Sequence, residues 1–457
     1  MVVVRISLIA ITLIATPCVA SPATGFRLVS EVTLDEFGGI PFCVDLDGDR
    51  RSEILWLQSP GLFHSLVFDV APWKGRWSEA ERNHFCLTAT DSSGKRLWQV
   101  GNPWRGKRPF VTHSAERALD TGDIDGDGVV EVVCVRRNEI LVIDARSGKI
   151  ERSLKTETDN VQIVQVARTS PSTDGWTILA KNAERAYPPH EYANPSWFYT
   201  WDLRLIKKAD YLGAGHTPLV GDFDDDGFDE FLIGFNLVDH DLKTRWTFRP
   251  VEESRWNAQA MHVDQMTVGT VNSRQCVGLA ASDQAYLLDA KTGKLIWKRS
   301  GTHPQQCQIG RFLADSFDSQ LFVHNKRAAL QLFDATGRAL WKLMPGQNFP
   351  LGQAEPCRRQ KFHVFDPTVI LPGFGDAGTD LLIFTDAGWP YVLDGSGKRV
   401  LDFPYTHNSA QDWGEVPGRP DDYGYGYYAR IAQLDRDGEP EVLLNDRRFA
   451  WFYDIKH

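Results

Sequence analysis

Short apolar runs alternate with tight polar turns along most of the chain. The clearest unit spans residues 215–246, where four apolar runs at 217–220, 231–234, 237–239 and 244–246 are separated by an aspartate-rich loop and two turns. Runs of this length and spacing are typical of antiparallel strands joined in a meander. A sheet of four such strands cannot bury both its faces alone, so the pattern predicts neighbouring sheets of the same kind.

The closing hairpin of this unit recurs along the chain. Copies with Asp, Ser or Thr, Gly and Lys in the turn lie at 90–98, 143–153, 288–297, 333–341 and 393–403, with degenerate copies at Trp201-Asp202 and Val238-Asp239 and a half copy at 452–454. Their spacing, roughly 40 to 60 residues, is the blade period of a β-propeller. The chain is therefore predicted to be an all-β protein, a single β-propeller of about eight four-stranded blades, with seven as the alternative.

The last blade is expected to lack a fourth strand of its own, because the chain ends after the run 452–454. Residues 26–34, with the sequence FRLVSEVTL, are the natural segment to supply that strand from the N-terminus. Such a strand would close the ring and cover its open edges.

The first twenty residues have the pattern of a secretory signal peptide. Arg5 precedes an apolar run at 6–15, and small residues lead to a cleavage site near Ala20. We therefore expect residues 1–20 to be a signal peptide, residues 21–457 to form the propeller domain, and the mature protein to be secreted or periplasmic. Six cysteines remain after cleavage, without regular spacing, so one or two disulfides stay open.

Net charge limits the partners. The chain carries a formal charge of −10 at pH 7, which argues against nucleic acid and against an anionic membrane surface. We therefore expect a monomer that binds neither nucleic acid nor a membrane.

Four loops carry carboxylates at alternate positions. They comprise Asp45, Asp47, Asp49 and Glu53; Asp123, Asp125, Asp127 and Glu131; Asp222, Asp224, Asp226 and Glu230; and Asp435, Asp437 and Glu441, with Gln433 in the first position of the last loop. These carboxylates would repel one another unless the loop curls round a cation, and calcium accepts six to eight oxygens in irregular geometry. The loops therefore predict calcium ions, most simply as structural ions in the turn between first and second strands.

Histidines recur where inner strands are expected to start. His216, His262 and His303 occupy this position in blades 4 to 6, and His363 does so in blade 7. Arg117 takes the same place in blade 2, and Tyr187 and Tyr192 lie in a loop of blade 3 expected to open on the same face. Inner strands all begin on one face of a propeller, so we expect one pocket there, with the calcium loops on the opposite face. Small residues before His216, in Gly-Ala-Gly-His, are expected to leave room for a chain of sugar rings.

Two resemblances follow from these motifs. The aspartate loops resemble the FG-GAP or VCBS loops of integrin-type propellers. The stretch GHTPLVGDFDDDGFDEFLIGFNLVDHD, followed by AMHVDQMTVG and THPQQCQIGRF, resembles the propeller of rhamnogalacturonan lyases and, more distantly, of ulvan lyases. This resemblance covers residues 213–322 and implies β-elimination on an acidic polysaccharide, with catalytic residues of the His, Tyr and Arg kind.

The residue types suit that chemistry. A cation must neutralise the uronate carboxylate, and Arg117, Arg255 or a bound metal could do so. A neutral histidine can then remove the proton next to the carboxylate, while a tyrosine or second histidine protonates the departing glycosidic oxygen. Two other readings stay open: a non-catalytic FG-GAP-type propeller that binds glycan or protein through the same face, and a quinoprotein-like propeller, which the repeat LDAKTGKLIWK also resembles.

Overall fold

A computed structural model gives the fold for most of the chain. It describes residues 24–34, 38–59, 78–105, 118–158, 160–172, 175–183, 193–250, 261–301, 303–325, 329–343, 368–385, 389–404, 406, 428–435, 437–446 and 448–457. These residues form eight four-stranded antiparallel sheets, which confirms an all-β propeller of eight blades rather than seven.

Each blade is a meander whose strands follow one another from first to fourth. Blade 1 contains β2 (Ile40–Val44), β3 (Glu53–Gln58), β4 (Cys86–Thr90) and β5 (Arg96–Gly101). Blade 2 contains β6 (Leu119–Gly122), β7 (Glu131–Arg136), β8 (Glu139–Asp144) and β9 (Ile150–Lys155). Blade 3 contains β10 (Val161–Arg168), β11 (Trp176–Asn182), β12 (Ser196–Thr200) and β13 (Leu205–Ala209). Blade 4 contains β14 (Leu219–Gly221), β15 (Glu230–Ile233), β16 (Asn236–Val238) and β17 (Thr244–Thr247).

The second half of the ring repeats this plan. Blade 5 contains β18 (Val263–Val271), β19 (Arg274–Ala281), β20 (Gln284–Asp289) and β21 (Leu295–Ser300). Blade 6 contains β22 (Pro304–Gly310), β23 (Gln320–Asn325), β24 (Leu330–Phe333) and β25 (Ala339–Leu343). Blade 7 contains β26 (Val369–Leu371), β27 (Leu381–Phe384), β28 (Tyr391–Leu393) and β29 (Arg399–Asp402). Blade 8 contains β30 (Tyr428–Ala432), β31 (Glu441–Asn445), β32 (Phe449–Lys456) and β1 (Gly25–Thr33).

Strand β1 is the outer strand of blade 8, as expected from the sequence. It pairs antiparallel with β32, with Gly25 opposite Lys456 and Thr33 opposite Phe449, and a bulge separates Leu28 from Ser30. The N-terminal strand thus closes the ring.

The first strands surround the axis, and the fourth strands form the outside. First strands of neighbouring blades contact one another, for example β18 with β22 and β30 with β2. The second strands are buried along most of their length, whereas outer strands such as β9 are largely exposed. Apolar side chains therefore fill the space between the faces of adjacent blades, where eight clusters of buried side chains lie.

Tryptophans join several neighbouring blades. In four blades the indole N–H of a fourth-strand tryptophan donates to a backbone carbonyl in the last turn of the next blade. The pairs are Trp98 with Ala145 (2.6 Å), Trp246 with Ala290 (2.9 Å), Trp297 with Ala335 (3.2 Å) and Trp341 with Gly395 (2.7 Å). The same turns need glycine: at Gly293 φ is +66°, and an added β-carbon would lie 2.6 Å from the Trp246 ring.

Little helix accompanies the sheets. The described residues include one short α-helix, α1 (Glu79–Arg82), and a single 3-10 turn, Asp376–Gly378. Neither of these short segments could cross a membrane. Five described cysteines, Cys43, Cys86, Cys134, Cys276 and Cys307, are buried and free of disulfides.

Candidate functional site

Three of the predicted histidines meet at the starts of consecutive inner strands. His216 precedes β14, His262 immediately precedes β18, and His303 immediately precedes β22. The ring centroids of His216 and His262 lie 5.6 Å apart, and those of His262 and His303 lie 5.5 Å apart. Blades 4, 5 and 6 thus contribute one imidazole each to a single cluster, which we call the histidine cluster.

A carboxylate that the sequence analysis gave no role lies at the centre of this cluster. Asp264 Oδ1 is 3.4 Å from His216 Nε2 and 3.5 Å from His303 Nε2, and Asp264 Oδ2 is 3.4 Å from His262 Nε2. His262 immediately precedes β18, and Asp264 is its second residue, at a bulge between Val263 and Gln265 that interrupts the regular alternation of the strand. The Asp264 side chain is only 3% exposed.

The surroundings of Asp264 favour its charged form. Burial alone would raise the pKa of this carboxyl group, but the adjacent imidazoles of His262, His303 and His216 outweigh burial and hold the pKa well below its ordinary value. Gln305 donates an amide hydrogen bond to Asp264 Oδ1. Asp264 Oδ2 has no hydrogen-bond partner within the described parts of the chain.

The backbone around His216 is held tightly against blade 5. His216 N donates to Val263 O at 3.0 Å, and Val263 N donates to Gly213 O at 3.1 Å. The fully buried Lys181 donates from Nζ to Gly215 O at 2.6 Å. An added β-carbon at Gly215, where φ is +55°, would lie 1.8 Å from Val263 O. The expectation that the small residues leave room for sugars is therefore wrong: they allow two backbones to approach closely.

The other two histidines are also fixed through their backbones. Ser282 Oγ accepts a hydrogen bond from His262 N at 3.0 Å, and Ser282 N donates to His262 O at 3.1 Å. His303 has φ of +60°, in the left-handed region, immediately before Pro304. A non-glycine residue adopts this conformation only when its surroundings impose it, and such residues are concentrated at functional sites. His216 and His303 are partly exposed, with side chains 17% and 21% accessible.

Several predicted residues cannot be added to this picture. Arg117, Tyr187 and Tyr192 lie outside the described residues, as do Arg255 and His363. Their proposed contributions to the pocket stay predictions.

The four aspartate loops share one local geometry. In each, the glutamate at the start of the second strand accepts a backbone N–H from the loop through Oε2. The pairs are Glu53 with Leu46 (2.8 Å), Glu131 with Ile124 (2.8 Å), Glu230 with Phe223 (2.7 Å) and Glu441 with Leu434 (2.6 Å). Asp222 accepts N–H groups of Asp226 and Gly227 at 3.1 and 2.8 Å, which curls the loop round its first carboxylate.

The carboxylates of these loops crowd one another. Burial raises the pKa of each glutamate, and nearby aspartates raise it further, to about 7 for Glu53 and Glu441 and about 8 for Glu131 and Glu230. Donor atoms of Asp123, Asp125 and Asp127 all lie within 4.8 Å of one another. Glu230 Oε1 is buried without a hydrogen-bond partner in the described residues. An all-oxygen set with excess negative charge fits calcium.

The loops are not equivalent. In blade 4, Arg245 Nη1 lies 2.5 Å from Asp224 Oδ2, and His240 Nδ1 lies 3.3 Å from Asp226 Oδ2, so protein side chains already contact two of the carboxylates. Blade 6 contains a related loop that the sequence analysis missed, in which Gln320 replaces the glutamate and accepts Phe312 N at 2.8 Å. Gln320 pairs with Gly310 just as Glu230 pairs with Gly221.

The histidine cluster and the aspartate loops lie at opposite ends of the inner strands. His216 precedes β14 and Asp222 follows it.

Comparison with known proteins supports the fold. No protein-family model and no curated protein sequence matches the chain. The exotype rhamnogalacturonan lyase YesX is similar in structure, with a TM-score of 0.59 and 15% identity over 96% of this chain and 76% of that one. A rhamnogalacturonan lyase of Bacillus licheniformis gives a TM-score of 0.54 and 17% identity over 95% and 74%. The V. cholerae biofilm matrix protein Bap1 gives 0.55 and 11% over 95% and 91%. At these identities the likeness concerns the fold, and proteins of different function share it.

Proposed function

We propose that this protein is a polysaccharide lyase that cleaves an acidic, uronate-containing polysaccharide by β-elimination. The observation that carries the proposal is the convergence of His216, His262 and His303 on the buried Asp264 at one end of the inner strands. The structural likeness to two rhamnogalacturonan lyases agrees with this proposal without deciding it.

The cluster suits proton abstraction. A carboxylate beside an imidazole fixes the orientation of the ring and stabilises its protonated form. The partly exposed His216 and His303 are the imidazoles that a substrate can reach, whereas the His262 side chain is only 6% accessible. One of them takes the proton next to the uronate carboxylate, the carbon–carbon double bond forms, and the glycosidic carbon–oxygen bond breaks. The departing oxygen then takes a proton from a second acid.

Calcium belongs to this proposal as a structural ion. The oxygen-only donor sets of the aspartate loops suit it, and their place at the other end of the inner strands separates it from the histidine cluster. The acidic polysaccharide partner and the secreted or periplasmic location follow from the same proposal.

The test is formation of unsaturated uronate products. The full mature chain is incubated with rhamnogalacturonan, ulvan and other acidic polysaccharides, and the ultraviolet absorbance of the new double bond is followed. His216→Ala and His303→Ala, which remove the two imidazoles that a substrate can reach, are expected to lower the rate by on the order of a hundred- to ten-thousand-fold. His457→Ala, near the C-terminus, is the control and is expected to keep the parental rate. Binding without any product would instead favour a non-catalytic glycan-binding propeller, and normal rates in both variants would remove the histidines from the mechanism.

A further inference from the structure

The spacing of the donor atoms in the histidine cluster is that of ligands around a shared cation. An N–H···O hydrogen bond spans about 2.7–3.2 Å. The separations here are longer: 3.4 Å from Asp264 Oδ1 to His216 Nε2 and 3.4 Å from Asp264 Oδ2 to His262 Nε2. Around a tetrahedral ion with bonds of about 2.1 Å, neighbouring ligand atoms lie about 3.4 Å apart. We propose that His216, His262 and Asp264 bind a divalent first-row transition-metal ion.

The burial and the charge of Asp264 also favour a bound cation. Donor atoms of these three residues all lie within 4.8 Å of one another, and the Asp264 side chain is 3% exposed. A buried carboxylate is costly unless a cation or several hydrogen bonds compensate its charge. Gln305 donates a hydrogen bond to Asp264 Oδ1. Asp264 Oδ2 lies 3.4 Å from His262 Nε2 and has no hydrogen-bond partner in the described residues. A bound ion would satisfy this oxygen.

The supporting contacts are those expected around metal ligands. Outer hydrogen bonds to a ligand, or to its backbone, fix its orientation toward the ion. Gln305 plays this part for Asp264, Ser282 holds the backbone of His262, and Lys181 and Val263 hold the Gly215–His216 segment. The three ligands are thus pre-positioned by contacts that do not themselves involve the ion.

The donor set selects the class of metal. Two imidazoles with one carboxylate suit zinc, iron or manganese, whereas calcium prefers oxygen ligands alone. The protein would therefore bind two chemically different kinds of cation, calcium in the aspartate loops and a transition metal in the histidine cluster.

Three protein ligands leave further positions open on the ion. The role of the ion rests on the proposed function: an open position coordinates the uronate carboxylate and neutralises its charge, so that the neighbouring carbon gives up its proton more readily. His303, whose Nε2 lies 3.5 Å from Asp264 Oδ1 and whose side chain is 21% exposed, is then the base beside the ion.

The experiment measures metal first and activity second. The full mature chain is stripped with a chelator, dialysed into excess calcium to fill the aspartate loops, and titrated with Zn²⁺, Mn²⁺ or Co²⁺. Bound metal is counted by elemental analysis, and the visible absorption of bound Co²⁺ reports its ligands. We expect one transition-metal ion per chain and at least a hundredfold weaker binding in Asp264→Asn and His262→Gln.

Matched variants separate this site from its surroundings. His240→Gln removes a histidine that also contacts carboxylates, Asp239 and Asp226, but lies in the turn between β16 and β17 of blade 4; binding at the histidine cluster should be unchanged. His303→Gln should keep the ion and lose the elimination. Circular dichroism shows whether each variant folds. If Asp264→Asn does not fold, His216→Gln tests the same site, because His216 is partly exposed and its replacement disturbs the buried core less.

The outcomes distinguish the two proposals. Absence of a stoichiometric transition metal in the parent chain, or equal binding in folded His216→Gln and His262→Gln variants, overturns the metal site. A stoichiometric ion with no unsaturated product from any acidic polysaccharide supports the metal site and rejects the lyase. Full lyase activity in metal-free protein supports the lyase and overturns the catalytic role of the ion.

Discussion

His324, in β23, is a buried histidine at the interface between blades 6 and 7. Its ring centroid lies 5.6 Å from that of Phe384 in β27, and the residue is 2% exposed. Burial disfavours the charged imidazolium and lowers the pKa of His324 to about 3. The neutral form is therefore the one that packs in the folded protein.

This histidine is expected to make the fold sensitive to acid. Because its pKa is lower in the folded state than in the unfolded state, its stabilising contribution is complete above about pH 6.5 and is lost as the pH falls toward 3. Lowering the pH from 7 to 5 should cost about 2 kcal/mol of unfolding free energy through this residue. Urea unfolding of His324→Gln at both pH values should show that much less loss, whereas His457→Gln should behave as the parent. Equal losses in parent and His324→Gln would contradict the assignment.

The role of Asp264 in the histidine cluster could not be predicted from the sequence alone. His262 and Asp264 lie two positions apart at the start of a predicted inner strand, but a bulge between Val263 and Gln265 interrupts the alternation there, so their contact does not follow from period two. Their meeting with His216 and His303 does not follow from the sequence either, because it depends on how far three separate inner strands extend along the axis. The glycines before His216 were misread for a related reason: Gly215 lies against Val263 and Gly213 against Phe235, about fifty and about twenty residues further along the chain.

Among the elements, the aspartate loops were the most predictable. Alternating aspartates, a glycine and a glutamate at fixed spacing define a loop geometry that is entirely local, and four such loops have it. The differences between them come from other strands. Arg245 reaches Asp224 from β17, and Gln320 occupies the glutamate position of a fifth loop with a neutral side chain. These contacts could not be read from the loop sequences.

Calcium is expected to stabilise blade 2 through its aspartate loop. Asp125→Asn removes one negative ligand from the group Asp123, Asp125 and Asp127. An ion held at a hundred times its dissociation constant contributes about 2.7 kcal/mol. The variant should therefore melt several degrees lower in calcium, and much of the difference should vanish in chelator. Calorimetric scans of both proteins in both buffers check this.

The matched control lies in blade 6. Asp315→Asn changes an aspartate in the related loop where Gln320 replaces the glutamate, so its melting temperature should respond little to calcium. A parent protein whose melting temperature is the same in calcium and in excess chelator would argue against structural calcium in any of the loops.

At the scale of the whole molecule, the repeat pattern predicted a propeller of about eight blades with seven as the alternative, and the structure has eight. Hairpins with Asp, Gly and Lys in the turn marked most blades because that turn is needed wherever a third strand meets a fourth, and the structure shows why. The turn aspartates accept several N–H groups, and the turn glycines lie against tryptophans of the preceding blade. The eighth blade was predictable because its missing strand had a matching segment at the other end of the chain.

That segment, β1, pairs with β32 along its length, and Phe26 is the one residue of the strand that is fully buried. Phe26 is 4% exposed and stacks on Phe403 of blade 7 with ring centroids 4.0 Å apart, and it meets Tyr453 edge-on at 6.4 Å. Val29, three residues later in the same strand, is 56% exposed. Phe26 therefore joins the N-terminal strand to both of the last two blades, whereas Val29 faces solvent.

Closure of the ring should depend on that contact. Phe26→Ala removes a buried ring and is expected to lower the unfolding free energy by about 3 kcal/mol. Val29→Ala, in the same strand, should change it by less than about 0.5 kcal/mol.

Removing the whole strand should have a larger effect than Phe26→Ala. A chain that begins at Glu36 leaves the edge of β32 unpaired and able to pair with other chains, so it should be less stable and should aggregate. Denaturant midpoints and light scattering measure the two effects. If the shortened chain were as stable and as monodisperse as the parent, the propeller would not need its N-terminal strand, and the pairing of Gly25 to Thr33 with β32 would be incidental to closure.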